Sequence, residues 1–153
     1  MSAVEERLAS LGLSLPPVAR PVAAYVPAVR SGTYVYVSGQ VPFVDGALDV
    51  KGKVGAEVTA EQAQELARTC ALNAIAAVRS VVDLDDVVRV VKVVGFVASD
   101  PSFTGQPGVV NGASELLGAA FGEAGAHARS AVGVAVLPLD APVEVELIAE
   151  VRD

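Results

Sequence analysis

The stretch HARSAVGVAVLPLDAPVEVELIAEV, residues 127–151, carries the strand signals that decide the fold. Its two halves, SAVGVAVL and VEVELIAEV, are rich in β-branched residues and are separated by the proline-containing turn PLDAP. The second half alternates apolar and polar residues, which predicts a strand with one buried face. In the first half both faces are apolar, although a sheet covered on one side needs only one apolar face. We therefore expect the other face of the sheet to pack against a second subunit.

The chain upstream supplies two long helices and further strands. Residues 58–82 begin with a capping box and continue as an apolar helical stripe, and residues 105–125 show a second stripe that ends at Gly122. Residues 33–43 and 85–100 are typical of strands. The order strand pair, helix, strand, helix, strand pair predicts an α+β fold with both helices on one face of the sheet.

Two segments precede the first of these strands. Residues 3–13 space apolar side chains at helical intervals and predict a short leading helix. Residues 14–32 contain four prolines and predict an extended arm along a sheet edge. We assign residues 1–21 to this helix and arm, and residues 22–153 to one domain with a single core.

Composition and charge exclude several classes of function. The chain is 52% hydrophobic, and its net charge of -7, with 11 scattered Lys and Arg, disfavours a nucleic-acid partner. The N-terminus lacks a signal-peptide pattern, and no apolar run approaches the roughly 20 residues of a membrane helix. With one cysteine and no disulfide possible within the chain, we expect a cytoplasmic protein without a membrane partner.

The sequence contains few residues of the kinds that bind a metal or another cofactor. One histidine, one cysteine and isolated carboxylates do not provide the ligands of a tetrahedral metal site. The glycine-containing stretches lack the spacing of a phosphate-binding loop. The sequence therefore predicts neither a metal nor another cofactor, and Cys70, on the apolar stripe of the long helix, is interpreted as a packing residue.

Four polar residues of residues 127–151 each allow two interpretations. Arg129 is either an ordinary surface residue or the anchor of a planar carboxylate, which an arginine holds by two parallel hydrogen bonds. His127 is either a loop residue without a chemical role or part of the rim of a ligand cleft. Glu144 and Glu146 are either the polar side of an amphipathic strand or acids of a site. The residues alone leave these alternatives open.

Five blocks of the sequence resemble one known family. The blocks YVPAV, YVSGQVP, NGASELL, HARSAVGVAVLP and VEVELIAEV follow the order and spacing of the YjgF/RidA family, the reactive intermediate imine deaminases, also named endoribonuclease L-PSP. The resemblance covers the chain from about residue 22 onward and is greatest with a YjgF-like subgroup that has an N-terminal helix. It implies a chorismate-mutase-like fold in which a mixed sheet carries two helices on one face. It also implies a homotrimer whose sheets face inward and whose clefts lie between subunits.

The resemblance implies roles for individual residues. The arginine at the position of Arg129 holds the carboxylate of a 2-imino or enamino acid, and the glutamate at Glu144 positions or deprotonates the attacking water. Glu146 keeps the interpretation of a polar strand residue. An iminium carbon is already electrophilic, so orientation and one water suffice without a metal or a covalent nucleophile. The residues expected to bind substrate or line the cleft are Tyr25, Ser38, Gly39, Asn111, His127 and Ala131, the last through its backbone amide.

The implied function is hydrolytic deamination of reactive 2-imino or enamino acids, of the 2-aminoacrylate type, to 2-oxo acids and ammonia. One alternative is a non-catalytic trimer that binds small carboxylates such as 2-oxo acids. A ribonuclease or translation inhibitor is disfavoured by the acidic charge and the lack of a paired-histidine site, and a chorismate mutase by a single cleft arginine. The chain also departs from the family pattern, with Pro27 in place of a glutamine and Ala131 in place of a cysteine.

Overall fold

The computed structural model describes residues 1–21 and 23–153, so Val22, inside the proline-rich arm, lies outside the described residues. Short 3₁₀ turns at Leu84–Asp86, Gly122–Gly125 and Pro138–Asp140 join some of the main elements. The main elements, in chain order, are helix α1 (Ala3–Ser10), strands β1 (Ala28–Ser31) and β2 (Tyr34–Gln40), helix α2 (Ala60–Arg79), strand β3 (Val87–Ala98), helix α3 (Gln106–Phe121), and strands β4 (Ala128–Val134) and β5 (Val143–Val151).

The strands form one mixed sheet in the order β1-β2-β5-β3-β4. β3 pairs in parallel with β4, while the β1–β2, β2–β5 and β3–β5 pairs are antiparallel. A parallel pair needs a crossover connection, and α3 provides it between β3 and β4. Because β3 therefore lies between β4 and β5, the expectation that the last two strands form a pair is wrong.

Both long helices pack on one face of the sheet, as predicted. α2 contacts β2 and β5, and α3 contacts β3 and β4. Cys70, on the apolar side of α2, is fully buried, and its Sγ donates to the backbone carbonyl of Val143 at 3.7 Å. Burial raises the pKa of the Cys70 thiol well above its ordinary value. Cys70 is thus a packing residue of the core, as its place on the stripe indicated.

The capping signals in the sequence set the helix boundaries. The Thr59 hydroxyl accepts from the backbone N–H of Gln62 at 3.1 Å, and the Gln62 side chain accepts from the backbone N–H of Thr59 at 2.9 Å. This is the predicted capping box at the start of α2. Gly122 ends α3 with a φ of 64°, a conformation that favours glycine. Within residues 1–21 and 23–153, no helix is both long enough and apolar enough to cross a lipid bilayer.

Helix α1 packs into the same core as the sheet. Its residues Val4 and Leu8 are buried in the main apolar cluster. Arg7 Nη1 donates to the backbone carbonyl of Ala120 near the end of α3 at 3.2 Å. In the described part of the arm, residues 14–21 and 23–32, the only regular element is β1, which forms one edge of the sheet. The division of the chain at residue 21 stays a prediction.

Gly112 lies where α3 crosses α2, and this contact leaves no room for a side chain. A Cβ atom on Gly112 would overlap the backbone carbonyl oxygen of Gln64. Because a backbone atom cannot rotate away, we expect Gly112→Ala to lower the free energy of unfolding by about 3 kcal/mol. Chemical denaturation measures this change.

Gly118, in the same helix, provides the matched control. A Cβ atom there would have no neighbour within 4 Å. Gly118→Ala should raise the free energy of unfolding by about 0.5 to 1 kcal/mol, because alanine favours the helix. A Gly112→Ala variant as stable as the Gly118→Ala variant would contradict the close contact between the two helices.

Candidate functional site

Arg129 is the second residue of β4, so the strand begins earlier than the apolar run SAVGVAVL suggested. Its neighbour in the parallel ladder is Val93, a fully buried core residue, which places both side chains on the helix-covered face. The half-buried guanidinium lies against α3. Nη1 donates to Asn111 Oδ1 at 2.7 Å and to Ser114 Oγ at 3.2 Å, and Nη2 donates to the Pro107 carbonyl at 3.4 Å. Arg129 is therefore held by the protein and is not a freely solvated surface arginine.

The guanidinium of Arg129 keeps one edge open for a ligand. An arginine has five N–H donors, and three of them are used toward α3. Because all three acceptors lie on this helix, the Nη1–Nη2 end faces α3. On the Nε–Nη2 edge, Nε–H and the second N–H of Nη2 have no acceptor in the part of the chain that the structure describes. Such an edge matches the two oxygens of a carboxylate.

Ser114 links Arg129 to His127. Its hydroxyl lies 2.8 Å from His127 Nε2, and His127 Nδ1 lies 2.6 Å from the carbonyl oxygen of Gly125. Asn111 and His127 were predicted from the sequence and Ser114 was not, although Ser114 follows Asn111 by three residues and so shares its face of α3. We call Arg129, Asn111, Ser114 and His127 the Arg129 cluster. Its geometry makes Asn111 a partner of the guanidinium, and whether it also binds a ligand stays a prediction.

Glu144 lies on the opposite face of the sheet from Arg129. The β3–β5 ladder places Glu144 beside Phe96, whereas the β3–β4 ladder places Arg129 beside Val93. Side chains alternate along a strand, so two positions of β3 that differ by three point to opposite faces. One chain therefore does not bring Arg129 and Glu144 together.

A pocket on the open face of the sheet contains Glu144, Tyr25, Gly39 and Arg20, and we call these four residues the Glu144 pocket. Gly39 lies so close to Glu144 that an added Cβ atom would overlap the carboxyl oxygen. Burial, and secondly the negative charge of Glu146, raise the pKa of the Glu144 carboxyl above its ordinary value of 4.5. A carboxyl with a raised pKa in a pocket is suited to accept and return a proton.

The two other predicted residues lie beside these groups. Ser38 precedes Gly39, and its hydroxyl donates to the backbone carbonyl of Val26 at 2.7 Å, which ties β2 to the arm. Ala131 follows Arg129 by two residues on the same face of β4 and packs against the core. Within residues 1–21 and 23–153, no group of three or more His, Cys, Asp or Glu is placed to hold a metal ion. The predicted residues thus form two sets on opposite faces.

Sequence and structure comparisons define the class of protein to which this fold and site belong. The sequence model of the family described as "YjgF/chorismate_mutase-like, putative endoribonuclease" matches residues 5–151. The chain belongs to this YjgF family, so the resemblance proposed from the sequence blocks is confirmed.

Three relatives illustrate the range of the family. Protein TCP17 of Trypanosoma cruzi is 46% identical over 152 residues, which cover 98% of this chain and 95% of TCP17. The crystal structure of Atu1372 from Agrobacterium tumefaciens, a protein of unknown function, is 47% identical, with a TM-score of 0.92 over 98% of this chain and 93% of that chain. The crystal structure of E. coli TdcF with bound serine is 27% identical, with a TM-score of 0.62 over 89% of this chain and 94% of that chain.

Proposed function

We propose that the protein hydrolyses reactive 2-imino or enamino acids, of the 2-aminoacrylate type, to 2-oxo acids and ammonia. The observation that carries this proposal is the open Nε–Nη2 edge of Arg129, whose other end is held on α3. Such an edge suits the carboxylate that every substrate of this class contains. The family relative TdcF, crystallised with serine, adds support, since serine also carries a carboxylate next to a nitrogen-bearing carbon.

The site includes residues of two subunits in this proposal. Arg129 lies on edge strand β4 and Glu144 on the opposite face, so a small substrate meets both only if a second copy supplies one of them. The open face also exposes large apolar side chains, which favours an interface there. These side chains and their exposures are Val29 49%, Tyr34 40%, Tyr36 48% and Val132 42%. The homotrimer implied by the family resemblance is the assembly that we propose.

The chemistry then needs only orientation and one proton acceptor. Arg129 holds the carboxylate, and an enamino acid first takes a proton at carbon 3 to become the imino acid. Water adds to the C=N carbon, and Glu144 accepts a proton from this water. Glu144 returns this proton to the nitrogen of the tetrahedral intermediate. As the C–N bond breaks and ammonia leaves, the hydroxyl releases its proton and becomes the carbonyl of the 2-oxo acid. Because its pKa is raised, the Glu144 carboxylate is a stronger base than an ordinary glutamate and accepts the water proton more readily.

An assay of the wild-type protein tests the proposal directly. When 2-aminoacrylate is generated in situ, we expect the protein to speed its decay and to release ammonia and pyruvate in equal amounts. Binding of 2-oxobutyrate without faster decay of the imine would instead favour a non-catalytic carboxylate binder. Cleavage of RNA by the wild type and equally by Arg129→Ala, with no effect on the imine, would contradict the proposal.

The assembly has a separate test. Mass measurement in solution should give three chains of 15.5 kDa each. If the protein is a monomer at the concentration at which it is active, a site shared between subunits is excluded.

A further inference from the structure

We infer that Ser114 and His127 are positioning residues that orient Arg129 through a hydrogen-bond relay with one fixed direction. The inference rests on the proposed function, because it concerns the arginine that would hold the substrate carboxylate. The relay runs from Arg129 Nη1 to Ser114 Oγ over 3.2 Å, from Ser114 Oγ to His127 Nε2 over 2.8 Å, and from His127 Nδ1 to the Gly125 carbonyl over 2.6 Å.

The two ends of the relay fix where each proton lies. A carbonyl oxygen only accepts, so His127 Nδ1 must donate to Gly125. In the neutral ring Nε2 then carries a lone pair and accepts from the Ser114 hydroxyl. The guanidinium only donates, and it uses the lone pair that the Ser114 oxygen still has. Every donor in the relay thus faces an acceptor.

The other neutral tautomer does not fit the cluster. With its proton on Nε2, the ring would direct the lone pair of Nδ1 toward the Gly125 carbonyl oxygen, which has no proton to donate. The geometry therefore favours the tautomer with its proton on Nδ1.

The relay determines which edge of Arg129 meets a ligand. Ser114 and Asn111 together take both N–H groups of Nη1, which fixes rotation of the guanidinium and keeps the Nε–Nη2 edge turned outward. Without Ser114, the guanidinium keeps only Asn111 at 2.7 Å and the long contact to Pro107 at 3.4 Å. A ligand would then have to order the side chain as it binds, which weakens binding.

His127 contributes through Ser114 and not by contact with substrate. Both of its ring nitrogens already have partners inside the chain. Because His127 Nε2 accepts the hydrogen bond from the Ser114 hydroxyl, a lone pair of the Ser114 oxygen stays directed toward Arg129. The rim role expected for His127 is thus replaced, in this inference, by a role behind the arginine.

The first experiment tests the hydrogen-bond relay without any substrate. His127 is the only histidine of the chain, so ¹⁵N imidazole NMR of the intact protein reports this ring alone. In the neutral ring we expect the proton on Nδ1, and we expect a change in the Nε2 resonance in Ser114→Ala because the hydroxyl donor is lost. A ring with its proton on Nε2, or an Nε2 resonance that Ser114→Ala leaves unchanged, would overturn the inference.

The second experiment measures the effect of the relay on ligand binding. We expect Ser114→Ala to raise KM for the imino acid, and Kd for 2-oxobutyrate, by about 3- to 10-fold with little change in kcat. His127→Ala should have a smaller effect in the same direction, and the double variant should equal Ser114→Ala, because His127 acts only through Ser114. His127→Gln should restore part of the affinity, since its amide oxygen can accept from Ser114.

Controls separate this inference from the proposed function. Ser10→Ala removes an exposed hydroxyl of α1 whose partner is the Arg7 carbonyl and not a residue of the Arg129 cluster, and it should leave KM unchanged. Additive effects of Ser114→Ala and His127→Ala, or a loss of kcat with unchanged KM, would contradict the relay. If the wild type neither binds nor converts these compounds, the proposed function is wrong. The imidazole spectrum then still tests whether the hydrogen-bond relay exists, because it needs no substrate.

Discussion

Arg129→Ala is expected to lower kcat/KM for a 2-imino acid by about 100-fold, because it removes two charge-assisted hydrogen bonds to the substrate carboxylate. The same change should weaken binding of 2-oxobutyrate to a similar extent, since product-like carboxylates use the same edge. Steady-state kinetics and calorimetry measure the two effects. The fold should persist, because Arg129 is only half-buried and its partners on α3 remain accessible to water.

Two further substitutions make this prediction specific. Arg129→Lys keeps the positive charge but not the planar fork, so affinity for the carboxylate should fall by about 10-fold. Arg152→Ala removes an arginine whose side chain is 69% exposed, in a 3.8 Å ion pair with Asp86, and should behave as the wild type. Equal affinity of the Arg129→Lys variant and the wild type would contradict a two-pronged contact.

The helices of this fold were predictable because their signals are local. The capping box at Thr59 and the terminal Gly122 each fix one helix boundary through the backbone groups that they satisfy or the φ that they allow. The YjgF family itself was also predictable, from short blocks of fixed order. Local signals do not report which strands become neighbours, since the place of β3 between β4 and β5 depends on the crossover through α3.

The residues of the candidate site stay predictions from the sequence, and their arrangement was not predictable. That Arg129 and Glu144 point to opposite faces depends on the registers of two ladders, and a one-residue shift in either would reverse it. The contact of Ser114 with His127 joins a helix to the start of a strand, and no sequence pattern predicts this contact. The predicted site residues Tyr25, Gly39 and Glu144 do share one pocket, while their roles stay predictions.

The charge state of Glu144 connects its environment to the proposed catalysis. Burial and the neighbouring Glu146 raise its carboxyl pKa above 4.5, so it takes up its proton at a higher pH than an ordinary glutamate. The base is the deprotonated form, and turnover should therefore rise with pH through this raised pKa. The sign for stability is opposite, because the folded state then binds the proton more tightly than the unfolded state. The stability that this group contributes is lost as pH rises above 4.5 through the raised pKa.

Glu144→Gln is expected to lower kcat by about 100- to 1000-fold, because the amide has nearly the same shape but accepts no proton from water. Binding of 2-oxobutyrate should be largely retained, since Arg129 is unchanged. At neutral pH the variant should be at least as stable as the wild type, because an uncharged amide replaces a carboxylate whose charged form is disfavoured by burial. Kinetics, calorimetry and thermal denaturation at neutral pH measure these three outcomes.

Glu146→Gln is the matched control on the same strand. It removes the neighbouring negative charge, so the pKa of Glu144 should fall and the acid limb of the kcat profile should move to lower pH, with full turnover at neutral pH. A Glu144→Gln variant with wild-type kcat and an unchanged acid limb would show that another group takes the proton. Burial, the larger cause of the raised pKa, is unchanged in Glu146→Gln, so an acid limb that stays in place would contradict only the effect of the Glu146 charge on Glu144.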